Sequence, residues 1–126
     1  MFKIIHRYSR EDALQDGVLI DITTIAKETG FKVPVAVTAT MWNKYIAPDT
    51  WPEIAEDIDG RIWDTVWMLL VAIKKSKAQT SQICYSLYYE MPKAEGLIQE
   101  LVELKAVMCP GDNGEPVITI MLSEED

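Results

Sequence analysis

The chain is poor in residues that bind metals or form disulfides. It has two cysteines and one histidine among 126 residues. Cys84 and Cys109 lack CxxC spacing, and His6 alone cannot build a multi-histidine site, so the sequence offers neither a zinc motif nor a disulfide framework. We expect both thiols to be reduced and buried, and we predict no cofactor.

Basic residues and long apolar runs are also scarce. Twelve Lys and Arg residues stand against 20 Asp and Glu, giving a net charge of −8. Because phosphate binding rests on clustered basic residues, direct nucleic-acid binding is not expected, and a basic protein surface is the better partner. The longest apolar run, 66–73, is shorter than the roughly 20 residues a bilayer requires. With no secretory segment at residues 1–11, we expect a cytoplasmic protein without membrane contact.

The common catalytic signatures are missing as well. The sequence contains no GxxxxGK[ST], GxGxxG, HExxH, GxSxG or EF-hand spacing. A cysteine–histidine nucleophile pair has little support, since both cysteines fall in or beside predicted strands without an activating cation nearby in sequence. We predict no catalytic residue, and a binding protein is favoured over an enzyme.

What the sequence does contain is a mixture of helical and extended patterns. Residues 60–77 form the strongest predicted helix, and their apolar side chains nearly surround the helix axis, so this helix should lie buried across a sheet. Shorter helices are predicted to begin at Ser9, at Asp21 or Thr23, and at Thr38, because each residue can cap a helix.

The last third of the chain is predicted to be extended. Alternating apolar residues at 82–91 and 97–108, followed by a strand at 117–122 and joined by short turns, predict an antiparallel meander. Further strands are predicted at 2–8, 18–22 and 31–38. We therefore expect a single α+β domain spanning 1–126, in which an antiparallel sheet packs against the long central helix and the short helices.

One carboxylate interrupts the apolar surface of the central helix. Asp64 needs a partner there, because a buried unpaired carboxylate costs several kcal/mol. Arg61 is the local candidate, Ser9 and Arg10 are distant ones, and we expect Arg10 to meet Asp64 in a polar tie between two helices. The alternative hypothesis is a small enzyme or ligand-binding domain, in which these residues and Asp21 line a polar pocket.

A second candidate site is acidic and aromatic. Trp51 precedes a cluster of carboxylates formed by Glu53, Glu56, Asp57 and Asp59. An exposed aromatic residue among carboxylates is typical of an anchor for a basic protein partner. The alternative is that Trp51 only packs against the start of the following helix.

The other tryptophans are predicted to be core residues. Trp63 and Trp67 are one turn apart in the central helix, and Trp42 recurs with Met41 and Tyr45 at helical spacing. We therefore expect Trp51 to be the exposed tryptophan.

Three motifs follow one another along the chain: "YSREDALQDGVLID", "GRIWD" and "GDNGEPVITIML". In these motifs the chain resembles a family of small uncharacterised proteins found on bacterial plasmids, integrative elements and phages. The resemblance spans nearly the whole chain, with a poorer fit in "NKYIAPDTWPEIAEDI" and "QICYSLYYEM". It implies an accessory protein of a mobile element, a class that includes anti-restriction and anti-CRISPR proteins. It implies no activity, cofactor or catalytic residue.

These observations predict a non-enzymatic accessory protein that acts by binding another protein, with a host defence component as the candidate partner. Two alternatives remain open at this point: the polar-pocket domain described above, and a structural homodimer formed through the edge of the sheet.

Overall fold

The computed structural model describes residues 8–48, 57–76, 80–94 and 96–125. Residues 2–7 of the strand predicted at 2–8 lie outside the described residues, and so do Trp51, Glu53 and Glu56 of the predicted acidic surface.

The described helices are α1 (Arg10–Gln15), α2 (Thr23–Thr29), α3 (Ala39–Met41) and α4 (Ile58–Lys75), with a π-helical turn (Trp42–Ile46) directly after α3. The described strands are β1 (Leu19–Asp21), β2 (Val35–Thr38), β3 (Gln82–Lys93), β4 (Gly96–Pro110) and β5 (Pro116–Leu122).

Local capping signals set the starts of the short helices. Ser9 Oγ accepts a hydrogen bond from the Asp12 backbone N–H at 2.9 Å, and the Asp12 carboxylate accepts one from Ser9 N–H at 3.3 Å. Thr38 Oγ1 accepts from Met41 N–H at the start of α3. Gly17, with φ of +78°, follows α1 in the left-handed conformation that glycine adopts without strain. The predicted caps at Ser9 and Thr38 are therefore confirmed.

Within the described ranges, the strand order of the sheet is β1-β2-β5-β4-β3. Strands β3, β4 and β5 form the predicted antiparallel meander, and β1 pairs antiparallel with β2. Strand β2 runs parallel to β5, with Val35 beside Ile118. The predicted α+β fold, a sheet packed against a long helix and short helices, is confirmed. The parallel pair makes the sheet mixed, because the chain passes through α3, α4 and the β3–β4 hairpin before β5 returns beside β2.

The main core lies between α4 and one face of the sheet. The central helix contributes Ile62, Val66 and Leu69, which are buried. Alternate residues of β3 and β4 face them, and the buried ones are Leu87, Tyr89, Met91, Val102, Leu104 and Ala106. The alternation predicted for these two strands is confirmed. No helix in the described part of the chain has both the length and the apolarity required to cross a membrane.

The central helix is buried on one side only. Trp63 and Trp67 are 40% and 45% exposed, so the prediction that they are core residues is wrong. At 100° per residue they project away from Ile62 and Leu69, which contact the sheet. Trp42 does pack against the core, as predicted.

The cysteines also depart from expectation. Cys84 and Cys109 are both free, but Cys84 is exposed and Cys109 is half-buried. Side chains of a strand alternate between its two faces, and Cys84 is an odd number of positions from the buried Leu87 and Tyr89. The Cys84 side chain therefore lies on the sheet face opposite α4. The prediction that both thiols are buried is therefore wrong.

Candidate functional site

Arg61 is the buried anchor of the central helix. Only 6% of it is exposed. Its Nη1 donates a hydrogen bond to the Tyr45 carbonyl at 2.8 Å, and its Nη2 donates to the Glu90 carbonyl. The Arg61 Nε–H is buried and has no acceptor among the described residues. The guanidinium thus joins α4 to the π-helical turn and to β3 through backbone carbonyls, and it binds no carboxylate within the described ranges.

A tyrosine network lies beside this anchor. The Tyr89 hydroxyl shares a hydrogen bond with Thr65 Oγ1, and Tyr85 donates to the Thr65 carbonyl at 2.9 Å. The Tyr45 ring stacks on Tyr89 with 5.5 Å between centroids, and its hydroxyl donates to Glu100 at 2.8 Å. Burial is the largest cause that raises the pKa of Tyr45 to about 12, and the hydrogen bond to Glu100 is the second. Burial also raises the pKa of Tyr89 well above its ordinary value. These phenols are therefore protonated donors at neutral pH, with a structural role.

The solvent-facing side of α4 combines aromatic and acidic residues. Asp59, Trp63 and Trp67 are all exposed there, and we call this set the outward face. Asp64 is also exposed, on the strip of helix surface next to Trp67. The outward face therefore offers two large apolar side chains beside negative charge.

A cavity of about 500 Å³ opens between α4 and the β3–β4 hairpin. We call it the α4–hairpin cavity; Asp57, Arg61 and Asp64 line it on the helix side, and residues of β3 and β4 line it on the other. Partial burial raises the pKa of the exposed Asp64, and the charge of Asp57 raises it further, while Arg61 acts in the opposite direction. The negative charge of Asp64 is thus only partly compensated.

The carboxylates of this cavity are not arranged for a metal ion. Among the described residues, no group of three His, Cys, Asp or Glu side chains is placed to hold one.

Arg10 lies on the other face of the sheet. Its Nη1 donates to Thr119 Oγ1 at 2.8 Å, and its Nη2 donates to the Ile118 carbonyl at 3.0 Å. Ile118 and Ile120 belong to the core under α4, so the Thr119 side chain between them projects to the opposite face. Arg10 therefore does not make the predicted contact with Asp64, which is exposed rather than buried.

The remaining predicted pocket residues have local roles. Ser9 caps α1, and Asp21 Oδ1 accepts from Thr23 N–H at 3.1 Å, at the start of α2. Ser9 and Arg10 border a separate cavity of about 590 Å³ beside Cys109. The structure therefore brings Arg61 and Asp64 together and leaves Ser9, Arg10 and Asp21 elsewhere.

The sequence did not reveal that the first and third motifs meet. The Asp112 carboxylate accepts hydrogen bonds from the backbone N–H groups of Arg10 at 2.8 Å and Glu11 at 3.0 Å. Asp112 lies in the turn between β4 and β5 and also binds the start of α1. No local signal could show this, because the partners are about 100 positions apart in the chain.

The predicted acidic surface is described only in part. Asp57 and Asp59 are exposed at the start of α4, and the other three members lie outside the described residues. Trp63 and Trp67 now supply exposed aromatic side chains close to these carboxylates in sequence. The sequence did contain a signal for the exposure of these tryptophans. Ile62, Val66 and Leu69 form one face of the helix, and Trp63 and Trp67 lie outside that face.

A protein-family model matches the chain over residues 1–126, and its description is a family of unknown function, DUF6573. No curated protein and no solved structure matches the chain significantly. The family description carries no activity, so the function has to be argued from the surfaces of the molecule.

Proposed function

Because the chain belongs to the DUF6573 family over its whole length, we propose for this member a function in binding another protein through the outward face of α4. The observation that carries the proposal is the exposure of Trp63 and Trp67, one turn apart on α4. Tryptophan is enriched among the residues that dominate binding energy at interfaces. Exposed apolar side chains grouped together are typical of interaction sites.

The charges near the tryptophans define the partner. Asp57, Asp59 and Asp64 are exposed around the first half of α4, and the whole chain carries a net charge of −8. Complementary charge speeds association and favours a basic partner surface over an acidic one. We therefore propose a partner with basic residues surrounding an apolar patch.

The narrower form of the proposal is an accessory protein of a mobile element that acts in the cytoplasm on a host defence component. The resemblance of the three motifs to proteins of plasmids, integrative elements and phages supports it. An acidic protein can also occupy the basic groove of a nucleic-acid-binding enzyme without binding nucleic acid itself. The two free cysteines agree with a reducing compartment.

The alternative of an enzyme or ligand-binding pocket receives support at one point only. Asp64 is accessible and lines a cavity with Arg61, as that hypothesis requires. Arg10 is bound to Thr119 instead, so the predicted residues do not form one site. The Arg61–Asp64 part is the one that can receive a ligand.

Affinity capture with matched variants tests the proposal. The tagged chain, the double variant Trp63→Ala/Trp67→Ala and the control Leu101→Ala/Met108→Ala are each incubated with bacterial lysate. Leu101 and Met108 are exposed to a similar extent on β4, so the control also removes two exposed apolar side chains. We expect a protein retained by the wild type and the control and reduced at least about tenfold by the tryptophan variant. Equal retention by all three chains would refute the proposal.

A further inference from the structure

We infer that a second copy of this chain pairs with the open edge of β3, strand against strand and antiparallel, so that the two sheets become one. The inference goes beyond the proposed function, because it concerns the edge of the sheet and a second copy of the chain. The proposed function concerns the surface of α4 and a different protein.

The hydrogen bonds between β3 and β4 determine which backbone groups of β3 point to the open edge. The Met108 N–H donates to the Ser81 carbonyl at 2.7 Å, and the same antiparallel register places Ile83 opposite Ala106. In such a pair, residues bonded to the neighbouring strand alternate with residues whose backbone groups point away from it. Odd-numbered residues of β3 therefore bond to β4, and the backbone groups of the even-numbered residues point to the edge.

Both ends of this edge are closed by the chain itself. At one end, Thr80 Oγ1 accepts a hydrogen bond from the Gln82 N–H at 2.9 Å and donates to the Gln82 carbonyl at 2.8 Å. At the other end, Arg61 donates to the Glu90 carbonyl, and Pro92 has no N–H to offer.

The backbone between these two ends is open. Three positions there have N–H and C=O groups that point to the edge and find no partner within the described ranges: Cys84, Ser86 and Tyr88. We call these three positions the open window. Their six backbone groups can be satisfied by one added strand.

The open window lacks the devices that prevent the edges of natural sheets from pairing. Such edges are usually short or carry charged residues. Strand β1, at the other edge, has three residues and ends in Asp21. Strand β3 has 12 residues, and its segment 82–89 contains no charged side chain, although the chain as a whole carries a net charge of −8. An uncharged edge of this length favours pairing with another strand.

The open window is complementary to itself, which favours a second copy as the occupant. With a two-fold axis at Ser86, the two Ser86 residues face each other, and Cys84 of each copy lies opposite Tyr88 of the other. Each facing pair exchanges two backbone hydrogen bonds, about six in all. The same axis relates the closed positions Gln82 and Glu90, so the pairing ends where the edge is closed and brings no like charges together.

The side chains of the window add contact to the pairing. Those of Cys84, Ser86 and Tyr88 lie on the sheet face opposite α4, and all three residues are exposed. The Tyr88 ring, 60% exposed in the single chain, packs beside Cys84 of the second copy. Side-chain contacts of this kind across two strands stabilise a sheet.

Disulfide cross-linking of the full chain tests the pairing and its register. In the background Cys84→Ser/Cys109→Ser, which removes the native thiols, Ser86→Cys places one thiol at the axis. Directly opposite residues of a hydrogen-bonded antiparallel pair have Cα atoms about 5.5 Å apart, which a disulfide can span. Ser81→Cys in the same background is the matched control, because the two copies of this exposed position are about 30 Å apart in the pair.

We expect Ser86→Cys to form a covalent dimer under mild oxidation at least about tenfold faster than Ser81→Cys. The single variant Cys109→Ser, which keeps Cys84, should cross-link as slowly as the control, because Cys84 lies opposite Tyr88 and not opposite itself. Equal rates for Ser86→Cys and Ser81→Cys would overturn the inference.

The mass of the chain in solution is the second measurement, by analytical ultracentrifugation over a range of concentrations. The native chain should have the mass of a dimer, and Ser86→Lys should weaken dimerisation at least about tenfold, because it places two like charges opposite each other. Ser81→Lys, which adds the same charge outside the window, should leave the dimer unchanged. A monomeric native chain, or a dimer that Ser86→Lys does not weaken, overturns the inference.

Discussion

At the scale of single residues, Arg61 and Asp64 lie three positions apart on α4 and line one cavity, but only Arg61 is held by the fold. Backbone carbonyls of the π-helical turn and of β3 accept hydrogen bonds from the Arg61 guanidinium. Asp64 was expected to be buried and is exposed, because α4 is covered on one side only.

The Asp64 carboxylate should lower the stability of the free protein at neutral pH. Its pKa is raised above the ordinary 3.8 by burial and then by Asp57, so its protonated form is favoured by folding. The stability it contributes is therefore present below its unfolded-state pKa and is lost as the pH rises through the higher folded-state pKa. Asp64→Asn should be more stable than the wild type at pH 7 by a few tenths of a kcal/mol, because solvent screens this largely exposed group.

Urea unfolding of both chains at a series of pH values checks this expectation. The advantage of Asp64→Asn should shrink as the pH falls and disappear below about pH 4. A wild-type chain more stable than the variant at pH 7 would show that Asp64 has a stabilising partner. A gain in stability would show that Asp64 is not retained for folding.

The spacing of Arg61 and Asp64 in the sequence predicted part of this arrangement. Their separation of three positions predicted a shared region of the helix, and the structure places both at one cavity. The spacing did not predict that backbone carbonyls would bind Arg61, because those carbonyls belong to a π-helical turn and a strand that come together only in the fold.

Secondary-structure elements were predicted well where their signals are local. The caps at Ser9 and Thr38 act over three residues, and the alternation in β3 and β4 repeats along each strand. Pairings between distant elements were not predictable in the same way. The parallel pairing of β2 with β5 and the contact of Asp112 with α1 each join parts of the chain that are more than 80 residues apart.

The contact between Asp112 and α1 should stabilise the fold measurably. Asp112→Ala removes the acceptor for two backbone N–H groups at the start of the helix, and losses of this kind cost about 1 kcal/mol. Asn113→Ala is the control, because Asn113 donates a hydrogen bond through its backbone N–H, which an alanine also has. Urea unfolding should show the loss for Asp112→Ala only, and equal stability of the two variants would contradict the assigned role.

At the scale of the whole molecule, the sheet has different neighbours on its two faces. The long helix covers one face, and Arg10 at the start of α1 reaches the other through Thr119. The α+β class and the C-terminal meander could be predicted because each strand and helix carries its own periodicity. The exposure of Trp63 and Trp67 was missed because the apolar content of α4 was interpreted as burial on all sides. Homodimerisation through a sheet edge, β1 or β3 in the described order, stays a prediction.

The central claim is that the outward face of α4 binds a protein partner. Hydroxyl-radical footprinting of the captured complex and of the free chain tests it most directly, with the oxidation of each tryptophan quantified by mass spectrometry. Trp63 and Trp67 should be oxidised readily in the free protein and protected in the complex, while the half-buried Trp42 serves as the internal reference and does not change. Equal oxidation of Trp63 and Trp67 with and without the partner would contradict the claim.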